Sequence, residues 1–346
     1  MLLNTDFVDP AVLTGYVRAA EADRSENQFS LDRFLPNSFV DDLEFRFNRG
    51  GEGLTEAATY RAYDAESPIG GRAGVSRVTG ELPPLSRKIR LTEYDRIRQR
   101  ALDRQGDEMT RALLRDGVRM TRSIGARMEL ARGDALVNGK VSIAENGVSA
   151  SVDFGRNAAH SVTAATVWSD PAAHILTDLR TWRETYKDTN DGDEPGAALT
   201  SQKVFNTMLL NSDFRALLAS LVGTPSIITE ASVRQVLAAH GLPPIYIYDA
   251  KVRVGGVATR IIPEDRFLFL PAPASGPDGT DLGATLWGTT VEATDSRYGL
   301  AGTSDAPGVV AGVYETEDPK TLWTKAGAIG LPILANPDLS FVADVL

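Results

Sequence analysis

The sequence contains no cysteine, which excludes disulfide frameworks, thiolate metal sites and cysteine nucleophiles together. Histidine is nearly as scarce: His160, His174 and His240 are the only three, and no HExxH or other paired ligand spacing joins them. Their expected positions are a loop, the first turn of a helix and a helix end. No stretch approaches the roughly 18 uninterrupted apolar residues of a membrane span, and FLFLPAPA (Phe267–Ala274) is short and broken by prolines. The start, MLLNTDFVDP, places Asp6 and Asp9 where a secretory signal needs a basic residue and then an apolar run.

Nucleotide and catalytic motifs are missing as well. Gly133 and Gly139 are separated by five residues, and Lys140 is followed by Val141 rather than Ser or Thr, so no phosphate-binding GxxxxGK[ST] loop forms. Gly50-Gly51-Glu52-Gly53 lacks both a preceding strand and a GxGxxG completion. The acidic run Asp188–Glu194 fails as a calcium loop: counted from Asp188, Gly192 is fifth and Leu199 stands where the twelfth-position Glu is needed. GxSxG and SxxK are absent, and Asp41-Asp42 and Asp107-Glu108 are adjacent pairs rather than a spaced acid and base. The expectation is a non-enzyme without cofactor or metal.

The 346 residues allow two or three domains, and 42% hydrophobic with 24% charged residues fits a folded globular chain rather than a disordered or rod-like one. A net charge of −10 argues against diffuse nucleic-acid binding over the whole surface. The charge is uneven, however. Residues 86–132 carry thirteen basic and seven acidic side chains, a balance of +6, leaving −16 for the remainder. Such an arginine-rich stretch suits phosphates or acidic partner loops, since guanidinium pairs bidentately with either; a solvated helix face is the plainer reading.

A periodic piece, Pro10–Ala22, precedes FLPNSFVDDLEFRF, which reads as an extended arm lying on something else. Residues 49–85 are rich in glycine and charge and poor in large apolar side chains, so they cannot build a core; TEAATYRAY and GVSRVTG predict a two-stranded excursion. A long helix is predicted from about Thr92 to Arg132, with Ile97, Ala101, Met109, Leu113, Met120, Ile124 and Met128 on one stripe. Gly106, Gly117 and Gly125 are candidate bends or close-packing points. Asn138-Gly139 and Asn146-Gly147 bracket two alternating strands, with Val148, Ala150, Val152 and Phe154 on one face. A mixed region follows: a helix opened by Asp170-Pro171, with Leu176, Leu179, Trp182 and Tyr186 inward, then helices over Ser201–Leu210, Asp213–Leu221 and Glu230–His240. Strands are expected at IYIYDAKVRV, ATRIIP and PEDRFLFL, and the chain closes on LSFVADVL.

This order of parts, with TYRAYDAESPIG, ENGVSASVDFGR, Trp168, SDPAAHILTDL, PPIYIYDAKV, IIPEDRFLFLPAP and the closing EDPKTLWTKAGAIGLPILANPD, resembles the tailed-bacteriophage major capsid proteins of the lambda-like major capsid protein E family, over most of the chain. The resemblance implies an α+β Hong Kong 97 phage-type capsid fold. It maps an N-terminal arm to 1–48, an E-loop to 49–85, a peripheral domain with a spine helix to 86–169, an axial domain to 170–318 and a C-terminal β segment to 319–346. It implies hexamers and pentamers of this chain, a portal protein, optionally a decoration protein, and double-stranded DNA on the inner face, with assembly in the host bacterial cytoplasm and a final place in the virion. Because the arm begins almost at Met1, a separate scaffolding protein is expected; because 49–85 contains no lysine, the Lys–Asn cross-links of some relatives are not. An encapsulin-like nanocompartment shell and, further off, a soluble α/β enzyme are the competing readings. The candidate intersubunit contacts are Glu56, Arg61, Asp64 and Glu66 of the E-loop against Arg96, Arg100 and Arg104, which share a stripe at four-residue spacing.

Overall fold

The computed structural model describes every residue except 1, 28–29, 42, 50–75, 96, 98–106, 146, 223–227, 275–280 and 301–306. An amino-terminal helix, Pro10–Asn27, starts where Asp9 accepts the Ala11 N–H at 2.8 Å and Pro10 fills the first turn. Its buried Leu13 and Val17 pack on the spine helix, Asp107–Asn138, crossing it at Gly117 so closely that a β-carbon there would lie 3.0 Å from each side chain. Gly117 is thus a close-packing point, while Gly106 lies outside the described residues. The arm is helical before it extends.

The spine helix buries Leu113, Met120, Ile124 and Met128 as the period predicts. It runs past the expected end at Arg132 to Asn138, because the stop signal is Gly139: its left-handed φ of 64° lets its N–H reach Ala135 O at 2.9 Å. Of the predicted first turns, Glu93–Asp95 and Ile97 are helical and 98–106 lies outside the described residues.

Beneath the spine is a six-stranded sheet organised on one 14-residue strand, Thr321–Leu334. Val310–Thr316, Pro84–Leu91 and Gly283–Gly288 all pair with it antiparallel, while Leu2–Leu3 and Asn37–Phe39 extend the sheet. Pro332 is tolerated in this central strand for a local reason. The Gly330 N–H donates to Pro83 O at 3.3 Å, and two residues on, facing the same way, Pro332 lacks a donor where the Pro84–Leu91 ladder has already ended.

A second sheet has the order Ile245–Ile247, Ala197–Thr200, Arg266–Leu270, Phe341–Asp344 and Ser161–Thr163. Four helices accompany it: Ile175–Thr189, Gln202–Leu210, Ser212–Val222 and Glu230–Ala239. Its core is aromatic, with Trp168 stacked on Trp182 at 5.6 Å and Phe267, Phe269 and Phe341 in contact around them. The C-terminal β segment therefore divides: Thr321–Leu334 centres one sheet and Phe341–Asp344 lies inside the other. There Val342 is buried along with Phe341 and Ala343, because the strand is covered on both faces.

Three local expectations are corrected. Asp170 caps a turn, accepting the Ala172 N–H at 2.9 Å, and the helix begins only at Ile175 after His174. IYIYDAKVRV is two strands, not one, because Asp249 leaves the ladder to accept the Gln202 N–H at 3.1 Å and to pair with Arg260; its second half, Lys251–Val254, forms a hairpin with Val257–Arg260 over Gly255-Gly256. Strand Ser76–Glu81, overlapping GVSRVTG, pairs with Glu44–Arg49, placed in the arm by sequence except for Arg49, while its expected partner TEAATYRAY lies outside the described residues. The hairpin Lys140–Glu145 with Val148–Asp153 forms as expected and turns Phe154 into the core.

Candidate functional site

The arm, the spine and both sheets meet at one buried polar knot. Glu129, fully buried on the spine helix, accepts from the Leu31 N–H at 3.0 Å and from the Tyr248 hydroxyl at 2.7 Å through one oxygen, and from Arg132 at 3.0 Å through the other. Arg132 also donates to Thr285 Oγ1 at 2.8 Å and to Asn37 Oδ1 at 2.6 Å, and Asn37 accepts from the Trp287 indole at 2.8 Å. Burial, and then the adjacent Glu129 carboxylate, push the Tyr248 hydroxyl far above its usual range, so it stays a donor. The knot fixes how the arm leaves the spine. Sequence reasoning missed it, although Glu129 and Arg132 at i,i+3 on the inward stripe of a helix were the available signal.

At the far end of the spine, Arg156 donates to Leu136 O at 2.8 Å and Val137 O at 2.6 Å, capping carbonyls that the helix leaves open. Burial lowers the pKa of this guanidinium to about 10, and Asp338 and Asp153 counteract the shift. Next to it lies His160, fully buried, stacked on Tyr186 at 5.9 Å, with Nε2 3.0 Å from Thr189 Oγ1. Burial lowers its pKa below 6.5, as does Arg156, against Asp338 and the backbone bonds of Ser340 and Asp338. The unfolded chain then binds the proton first as pH falls. Stability from this site is complete above about pH 6.5 and is lost on acidification at up to about 1.4 kcal/mol per pH unit. Urea midpoints from pH 8 to 5 are expected to fall less steeply for His160→Gln than for the native chain; identical slopes would exclude His160 as the source.

The outward side of the spine helix carries Arg111, Arg115, Arg119 and Arg122, all exposed. Arg115 is 3.6 Å from Glu108 and Arg119 is 3.5 Å from Asp116. Burial raises the Asp116 pKa against the pull of Arg119 and Arg115. Beside this stripe lies a groove of about 820 Å³ with an apolar floor that includes Ile124 and Leu130 and a rim that includes Arg87, Arg119, Arg127 and Arg253. Such a surface suits a segment offering carboxylates next to apolar side chains. The seven candidate contacts, Glu56, Arg61, Asp64, Glu66, Arg96, Arg100 and Arg104, all lie outside the described residues. The acidic run 188–194 ends the helix at Thr189 and continues as a loop whose Glu194 is held by Arg183 at 3.3 Å and Lys187 at 3.4 Å. Among the described residues no cluster of three or more metal-ligating side chains occurs, and no helix is long and apolar enough to cross a membrane.

A long helix lying on a sheet, joined to a separate mixed sheet, is the architecture of phage shell subunits of the Hong Kong 97 type. Three solved structures match it nearly end to end: a prophage protein of E. coli CFT073 assigned to the capsid (TM-score 0.61, 15% identity, 98% of this chain and 99% of that one), a phage-related protein of Bordetella bronchiseptica RB50 (0.59, 14%, 99% and 97%) and the mature capsid of bacteriophage PhiM1 (0.53, 12%, 92% and 87%). No curated protein matches the sequence. The chain belongs to the family of phage major capsid protein E, whose pattern covers residues 10–345. It is a head-shell protein of a tailed phage, located in the virion.

Proposed function

We propose that this chain closes the head from hexamers and pentamers around double-stranded DNA, with a scaffolding protein, a portal and optionally a decoration protein as partners, and that it catalyses no reaction. Its parts then take the roles of arm (1–48), E-loop (49–85), peripheral domain (86–169), axial domain (170–318) and closing β segment (319–346). Family membership over 10–345 carries this reading. Negative-stain microscopy of the purified chain tests it, with closed icosahedral shells expected and nucleic-acid content separating a phage head from a compartment that packages enzymes.

Within the shell, the acidic E-loop side chains Glu56, Asp64 and Glu66, with Arg61 beside them, meet the spine arginines Arg96, Arg100 and Arg104 of another copy. The opposed charges, +6 over 86–132 and −16 elsewhere, support this. Each exposed pair is worth only about 0–1 kcal/mol, but every copy repeats it. Replacing the three arginines by Gln is expected to weaken assembly of empty shells at low salt. Normal empty shells at both low and high salt would refute the contact, and loss of DNA retention alone would place the stripe against the genome.

A further inference from the structure

The face of the six-stranded sheet turned away from the spine helix carries an unclaimed cationic platform. Arg87 reaches Ser123 of the spine helix at 2.7 Å, so Lys88 and Arg90, alternating with it along the strand, stand on the opposite face. Arg90 pairs in register with Trp323, and both cations sit over that ring, Lys88 Nζ at 4.7 Å and the Arg90 guanidinium carbon at 6.0 Å from its centre. Among the described residues neither cation forms an ion pair, whereas Lys325, opposite Lys88 in the ladder, is held by Glu292, and the Trp323 indole N–H is buried without an acceptor.

The same corner of the sheet also carries the opposite charge. Thr316 pairs with Thr321 to close the hairpin, and the turn between them exposes Glu317 and Asp318 with Lys320 beside them, a net charge of −1, and neither carboxylate forms an ion pair among the described residues. One chain thus presents an acidic turn and a basic aromatic platform near each other that do not neutralise one another.

We propose that the Lys88–Arg90–Trp323 platform receives the Glu317–Asp318 turn of a second copy of this chain. The inference rests on the shell-forming function of the family and adds a specific contact to it. A turn that fits a platform elsewhere on an identical molecule makes a heterologous, head-to-tail contact, the kind that closes rings. Packaged DNA is the poorer occupant, because Glu317 and Asp318 at the same corner would face its phosphates.

Charge reversal tests the pairing. Lys88→Glu/Arg90→Glu and Glu317→Lys/Asp318→Lys are each expected to raise the critical concentration for shell assembly at least about tenfold, since each brings like charges together. Joining all four changes in one chain, or mixing the two double variants, is expected to restore assembly. Native-like assembly by either double variant, or folded variants that the quadruple change does not rescue, would overturn the proposal. The native chain's own shell formation reports separately on the family function. Cross-linking avoids charge reversal altogether: the chain has no cysteine, so co-assembled Lys88→Cys and Glu317→Cys variants carry the only thiols. On oxidation a disulfide-linked dimer specific to the mixture supports the contact, and its absence from assembled shells refutes it.

Discussion

Replacing Glu129 by leucine is expected to cost about 3–5 kcal/mol, because it strands the Arg132 guanidinium in the interior without its anion. The Leu31 N–H and the Tyr248 hydroxyl lose their acceptor at the same time, so the arm loosens where it leaves the spine. Arg132→Met should cost less within that range, since the remaining carboxylate keeps two donors and can be neutralised by a proton, whereas an orphaned guanidinium cannot shed its own. The double variant is expected to be less damaging than the sum of the two by at least about 1 kcal/mol, as for any contacting pair. Urea unfolding of the four proteins measures this directly. Strict additivity would show that Glu129 and Arg132 act separately despite their 3.0 Å contact.

Met120→Pro is expected to abolish assembly and to leave little folded chain. Met120 is fully buried near the middle of the spine helix, and an interior proline removes a backbone hydrogen bond and clashes with the preceding turn at a cost of about 3 kcal/mol or more before any packing is lost. The damage would spread, because the helix packs at once on the amino-terminal helix and on the six-stranded sheet. Met120→Leu, which nearly conserves volume, is expected to cost under about 1.5 kcal/mol and to assemble. Circular dichroism with particle counting separates these outcomes, and normal particles from the proline variant would contradict the assigned role of the spine.

Local signals sufficed where neighbours along the chain decide the outcome. The inward stripe of the spine, the helices near Ser201 and Glu230, and the hairpin of Lys140–Glu145 with Val148–Asp153 were legible because period and turn chemistry act over a few residues. Where distant segments compete, the sequence was silent or misleading. Glu44–Arg49 becomes the partner of Ser76–Glu81, and Asp249 splits IYIYDAKVRV into two strands by reaching Arg260 and Gln202.

The candidate site follows the same division. Composition fixed the absence of thiol chemistry and the uneven charge, and the order of segments was enough to suggest a shell protein. Only the tertiary structure could bring Leu31, Asn37, Glu129, Arg132, Tyr248 and Thr285 into one knot, or set Lys88 and Arg90 over Trp323 beside an acidic turn. These residues lie far apart in the chain, and no periodicity encodes which buried polar groups will satisfy one another. That choice is made by packing, where a donor without an acceptor is too costly to leave in the core.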